Sequence, residues 1–168
     1  KVVKFGGSSL ANAEQFQKVG DIIRSEESRR YVVPSAPGKR YAGDTKVTDL
    51  LYACYNKAEA EQDFSSILTE IKERYYEIIR GLKLDLSLEE EFKKIEADFA
   101  AHAGTEYAAS RGEFLNGKVM AAYLGYEFVD AAEVIRFDKN GNFDAEKTDK
   151  LLSKRLQKCE RAVIPGFY

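Results

Sequence analysis

Apolar and polar positions change period several times along the chain. At the start Val2, Val3 and Phe5 flank Lys4, and the run breaks at Gly6-Gly7. β-Branched and aromatic residues favour a pleated strand, so this stretch reads as a buried-type strand leaving through a glycine turn. The period then becomes helical. Phe16, Val19, Ile22 and Ile23 share one face, and Asn12 with Gln15 three residues later resembles a capping box, predicting a helix of about three turns. Tyr31-Val32-Val33 reads as a second strand, stopped by Pro34-Ser35-Ala36-Pro37-Gly38, whose prolines and glycine cannot continue it. Strand, helix and strand in that order imply a parallel pair with a crossover helix and a three-layer αβα sandwich around a mainly parallel sheet. Ligands of such sheets gather beyond the carboxyl ends of strands, where Gly6-Gly7 and Ser35-Ala36 would sit.

Residues 39–48 are polar, carry four side-chain charges and lack periodicity, and are expected to form a mobile loop. From Thr48, a candidate cap, the pattern turns helical with Leu50, Leu51, Cys54, Tyr55 and Ala58 on one face. Phe64, Ile67, Leu68, Ile71, Tyr75, Ile78, Ile79 and Leu82 mark a second amphipathic helix, and Leu88, Phe92, Ile95 and Phe99 a third. Residues 48–101 thus form a helical block inserted after two strands. Gly112, within Ser110-Arg111-Gly112-Glu113, is expected to break the helix that follows, whose inward face would include Phe114, Leu115 and Val119. Glu127-Phe128-Val129, Val134-Ile135-Arg136-Phe137 and Ala162-Val163-Ile164 read as strands, with a helix capped by Asp144 and bearing Leu151, Leu152 and Leu156 before the last of them.

Composition narrows the class. The 168 residues are 44% hydrophobic and 32% charged, suited to one domain with a real core, and the net charge of −2 speaks against a nucleic-acid backbone as partner. A small substrate fits better. No apolar run approaches the roughly 18 residues that span a bilayer, so no membrane partner is expected. Cys54 and Cys159 match neither a metal spacing nor a disulfide framework, so a reduced, cytoplasmic setting is expected. The apolar run before Pro165-Gly166-Phe167-Tyr168 reads as a strand entering a turn, with the fold expected to continue beyond.

The candidate chemistry begins at the opening turn. Gly6-Gly7 removes side chains that would keep backbone N–H groups from a polyphosphate, and Lys4 adds positive charge. This is neither a Walker loop nor G-x-G-x-x-G, and a plain diglycine turn beside an exposed lysine is the competing reading. His102 stands without ligand-spaced neighbours and is expected at the surface or in packing. Residues 138–149 depart from a calcium loop at Phe143 and Asp149 and read as a turn. Glu89-Glu90-Glu91 suits the first turn of a solvated helix, and Tyr75-Tyr76 follow helical faces as core or interface.

Five segments in order, Lys4-Phe5-Gly6-Gly7-Ser8-Ser9, Val32-Val33-Pro34-Ser35-Ala36, Thr48-Asp49-Leu50-Leu51, Ser110-Arg111-Gly112-Glu113 and Ile164-Pro165-Gly166-Phe167, closely resemble aspartate kinases of the amino acid kinase superfamily. The resemblance implies transfer of the γ-phosphoryl group of ATP, bound with Mg²⁺, to the β-carboxylate of L-aspartate. It also implies the pathway to lysine, threonine and methionine, and a homo-oligomeric full-length protein. Lys4 would stabilise transferring charge, with Gly6, Gly7 and Ser8 offering donors to the phosphates. Glu113 would hold the substrate ammonium, with Gly112 permitting close approach, while Thr48 and, more weakly, Ser35 would meet its carboxylates. A Gly-Arg-Gly-Gly-Ser-Asp-like segment, placed by the resemblance in a downstream nucleotide lobe, is not found among these residues, and neither are ACT-type domains. Residues 1–168 are therefore expected to be the amino-terminal, substrate-binding part, inactive alone. Two other readings stand beside this one: a kinase for glutamate or a related acid, and a non-catalytic ligand-sensing or interaction module.

Overall fold

In the computed structural model, described for residues 1–167, β-favouring runs separated by helices assemble as one parallel sheet. Its strands are β1 (Val2–Phe5), β2 (Tyr31–Pro34), β3 (Glu127–Phe128) and β4 (Ala162–Val163), in the order β1-β2-β4-β3. The register sets Lys4 opposite Val33, and Val163 opposite both Val32 and Phe128. β1 lies at an edge of this sheet, with Val2 68% exposed and only Val3 and Phe5 partly covered, so it is less buried than its composition predicts.

A 3₁₀ turn, Gly7–Leu10, leads from β1 into α1 (Ala13–Arg24). Asn12 caps α1 by accepting the N–H of Gln15 at 3.0 Å, and Phe16, Val19 and Ile23 are buried while Ile22 faces outward. The inserted block consists of α2 (Val47–Glu59), α3 (Ser65–Gly81) and α4 (Glu89–Ala100), followed by α5 (Thr105–Leu124). Phe99 of α4 meets the rings of Tyr55, Phe64 and Tyr107 edge-on at 5.5, 6.4 and 6.4 Å, which ties α4 to α2 and α5. Val32 and Val163 face this large core, whereas Tyr31 and Ala162 turn to a smaller one with Val129, Val134, Leu151 and Leu152. That alternation gives the sheet two covered faces, α1–α5 on one and α6 (Ala131–Val134) with α7 (Ala145–Leu156) on the other. Asp144 caps α7 through the N–H of Lys147 at 3.0 Å. Among the described residues no helix is long and apolar enough to cross a membrane.

Four local expectations are corrected. Gly112 does not break a helix but lies inside the 20-residue α5; its lack of a side chain serves packing, since a Cβ there would stand 2.8 Å from that of Ala36 and 3.2 Å from Leu51 Cδ1. Residues 134–137 are not a strand; Val134 ends α6, and Phe137 forms an isolated antiparallel bridge with Phe143 across the 138–142 turn rather than joining the sheet. Thr48 does not cap α2, which starts one residue earlier with Lys46 in the cap position. The 39–48 loop is tied down, since Asp44 within it is buried among arginines. His102 pairs its Nδ1 with Glu59 at 2.6 Å at the surface, and Cys54 and Cys159 are free thiols.

Candidate active site

Parallel strands end together, so β1 and β2 deliver their following segments to one side of the sheet. There a cleft of about 570 Å³ is lined by Gly7 and Ser8 after β1, Ser35 to Lys39 after β2, and Lys46, Thr48 and Asp49 at the start of α2. Its size is that of a small-molecule site. The turn after β1 is held by the segment after β2: the N–H of Gly38 donates to the Gly7 carbonyl at 2.8 Å, and a Cβ on Gly38 would stand 2.6 Å from the Gly7 carbonyl carbon. Apart from its chain neighbours, no atom of the described residues lies within 4 Å of where a Gly6 Cβ would be. Its backbone is therefore open to a ligand.

Glu113 adjoins the cleft through Ser35, whose hydroxyl donates to Oε1 at 3.3 Å. Burial pushes the Glu113 carboxyl above its ordinary pKa, and the Ser35 hydroxyl, the backbone amides of Gly166 and Phe167 and the charge of Lys4 pull the other way. Lys4 on β1 and Glu113 on α5 thus act on each other across the strand ends. Neither Lys4, Lys39 nor Lys46 has a side-chain ion pair or hydrogen bond among the described residues. The arrangement offers the ammonium groups of Lys4, Lys39 and Lys46, the hydroxyls of Ser8, Ser35 and Thr48 and close backbone for anion oxygens, and the carboxylates of Glu113 and Asp49 for a cation.

Of the residues expected from sequence, Gly7, Ser8, Ser35 and Thr48 line the cleft; Glu113 adjoins it through Ser35, and Lys4 acts on Glu113 through its charge, without an ion pair between them among the described residues. Gly112, expected against a ligand, is instead buried against Ala36 and Leu51, and its carbonyl accepts the Tyr75 hydroxyl at 2.7 Å. Lys39, Lys46 and Asn116 were not anticipated. Asn116 is fully buried one turn after Glu113 and donates its amide to the Ser35 carbonyl at 2.6 Å, fixing the end of β2; its Oδ1 has no partner among the described residues. A polar residue on the inward face of a helix is the signal that could have found it.

The chain is 42% identical to aspartokinase 3 of Bacillus subtilis, across all of this chain and 40% of that protein. It is 30% identical to chloroplastic aspartokinase 1 of Arabidopsis thaliana, across 82% of this chain and 25% of that one. The crystal structure of the aspartate kinase of Clostridium acetobutylicum matches with a TM-score of 0.95 at 47% identity, across 99% of this chain and 38% of the other. E. coli aspartokinase III, in complex with aspartate and ADP, shares the fold with a TM-score of 0.73 at 24% identity, across 98% of this chain and 40% of that one. The chain therefore spans 40% or less of the length of each of these proteins. The model of the amino acid kinase family matches residues 1–168 from end to end, and the chain belongs to that family.

Proposed function

We propose that residues 1–168 are the amino-acid-binding part of an aspartate kinase that turns ATP and L-aspartate into ADP and 4-phospho-L-aspartate. The observation that carries this reading is Glu113: a half-buried carboxylate on the Ser35 hydroxyl and in the field of Lys4, at the carboxyl ends of β1 and β2. The 47% identity to the Clostridium acetobutylicum aspartate kinase supports the choice of acid. An α-ammonium against Glu113 would offset the carboxylate's burial and leave the substrate's carboxylates toward the donors of the cleft.

In the reaction an oxygen of the β-carboxylate forms a bond to the γ-phosphorus as the bond to the β–γ bridging oxygen breaks, and ADP carries away the charge. Little covalent work falls to the protein. The Lys4 ammonium would stabilise charge on the transferring group, with backbone N–H groups of Gly6, Gly7 and Ser8 as fixed donors. Thr48 and Ser35 would orient the acceptor. The ammonium, hydroxyl and N–H donors of the cleft suit phosphate oxygens; Mg²⁺, bound through those oxygens, would neutralise part of their charge. The product's place at the head of lysine, threonine and methionine biosynthesis, a cytoplasmic setting and a homo-oligomeric complete protein belong to the same proposal.

The test is acyl-phosphate trapping with hydroxylamine, using the complete protein, Mg-ATP and either aspartate or glutamate. Hydroxamate from aspartate with little from glutamate is expected; the reverse preference overturns the substrate assignment.

A further inference from the structure

Lys39 and Lys46 stand at the two ends of one polar loop, and both line the cleft. A loop of that composition would ordinarily fluctuate, yet its middle is locked. The Asp44 carboxylate accepts Nε and Nη2 of Arg40 at 2.9 and 3.0 Å and the Arg40 backbone N–H at 2.8 Å, and it pairs with Nη1 of Arg74 at 3.0 Å. Arg74 comes from α3 and is only 2% exposed. It also donates to the carbonyls of Thr45 at 2.9 Å and Gly38 at 2.7 Å, so one guanidinium holds both ends of the 38–45 segment. Gly38 in turn holds Gly7.

A buried pair of this kind gains little stability over two apolar side chains, because both ions lose water; here Arg74 Nε lacks even a partner among the described residues. Geometry is what the pair supplies. Lys39 and Lys46, kept out of ion pairs on a fixed wall, are available to a ligand.

We infer that Lys39 and Lys46 are anion-binding residues of the cleft, taking phosphate or carboxylate oxygens of the substrates, and that Arg74 and Asp44 are the positioning residues that hold them there. This rests on the kinase reading above. It adds to the phosphate turn a second set of cations, delivered by a different segment.

The test is a cycle of variants in the complete protein. Lys39→Met with Lys46→Met should raise KM for Mg-ATP or for aspartate about tenfold, the loss expected of a charge-assisted contact, without moving the thermal midpoint. The substrate whose KM moves tells phosphate from carboxylate. Arg74→Met with Asp44→Asn, which removes both buried charges together, should raise the same KM. Combining all four changes should cost no more than the larger of the two pairs, because both remove the same contacts. Multiplying losses, or lysine variants with both KM values unchanged, would overturn the inference. Should the Arg74/Asp44 variant not fold, Arg74→Lys keeps a cation beside Asp44 but cannot span the Gly38 and Thr45 carbonyls, and it completes the same cycle. Wild-type turnover with aspartate is measured first. Its absence counts against the aspartate reading alone, and calorimetric binding of Mg-ATP then reads the cycle, with equal affinities in all variants counting against the lysines.

Discussion

Asp44 lies in the loop that walls the cleft and Glu113 on the helix beside it, and the protein surrounds these two carboxylates in opposite ways. Arg40 and Arg74 hold the Asp44 carboxyl well below the usual carboxylate range, the Arg40 hydrogen bonds being the largest cause. Burial pushes the Glu113 carboxyl upward, and although a hydroxyl, backbone amides and a lysine lie nearby, no arginine pairs with it among the described residues. A carboxylate satisfied by its own chain builds the wall. One held by a hydroxyl and backbone amides, with no ion pair of its own among the described residues, keeps its charge available to a ligand, which is how perturbed groups in clefts come to mark functional sites.

The sharpest way to break this contrast is Arg74→Met, which strands part of the Asp44 charge and two carbonyls. A loss of about 3 kcal/mol in urea unfolding is expected; an unchanged midpoint would remove the distinction between wall and site. Lys4→Ala should lower kcat about 10²–10³-fold, leave aspartate binding largely intact and keep the urea midpoint. Glu113→Gln should raise the KM for aspartate about tenfold, through loss of a charge-assisted contact, and stabilise the unliganded fold slightly at neutral pH.

The pH dependence separates the two groups by sign. Because folding depresses the pKa of Asp44, its stabilisation is present above the ordinary aspartate value of about 3.9 and is lost as pH falls toward its folded value. Because folding raises the pKa of Glu113, the fold favours the protonated acid: that contribution is present at low pH and lost as pH rises through the raised value. Aspartate affinity should climb over the same interval, since an ammonium needs the ionised form. Urea unfolding of wild type, Asp44→Asn and Glu113→Gln across pH measures both slopes. The smallest effect is expected remote from either group, where Asn12→Ala should cost about 1 kcal/mol through loss of the α1 cap, with kinetics unchanged.

What could be read without coordinates was what neighbours in sequence decide. β1, the Asn12 cap, α1 and β2 follow from local period and turn residues, and their order implies the parallel pairing that brings Gly7 and Ser35 to one cleft. The three helices of the inserted block declare themselves by faces that pack on one another. Gly112 misled because its purpose lies outside its own helix: Ala36 and Leu51 approach too closely for a side chain. The apolar positions at 134–137 carry no helical period, and the four-residue helix before them, Ala131–Val134, ends on the first of them. Asp44 looked like one more charge in a polar loop because its partner Arg74 is thirty residues away on another element. Lys39 and Lys46 stayed invisible for the same reason, since their place on the cleft depends on that tether.

The face-to-face contact of Gly7 with Gly38 has a consequence for how the opening motif travels between proteins. Part of the bend's shape is supplied by Gly38, 31 residues downstream of Gly7, so a peptide copied from positions 2–12 would carry the lysine and the glycines without the mould that shapes them. Whatever anion the bend receives, it is received by the assembled sheet, and the motif is not a portable cassette.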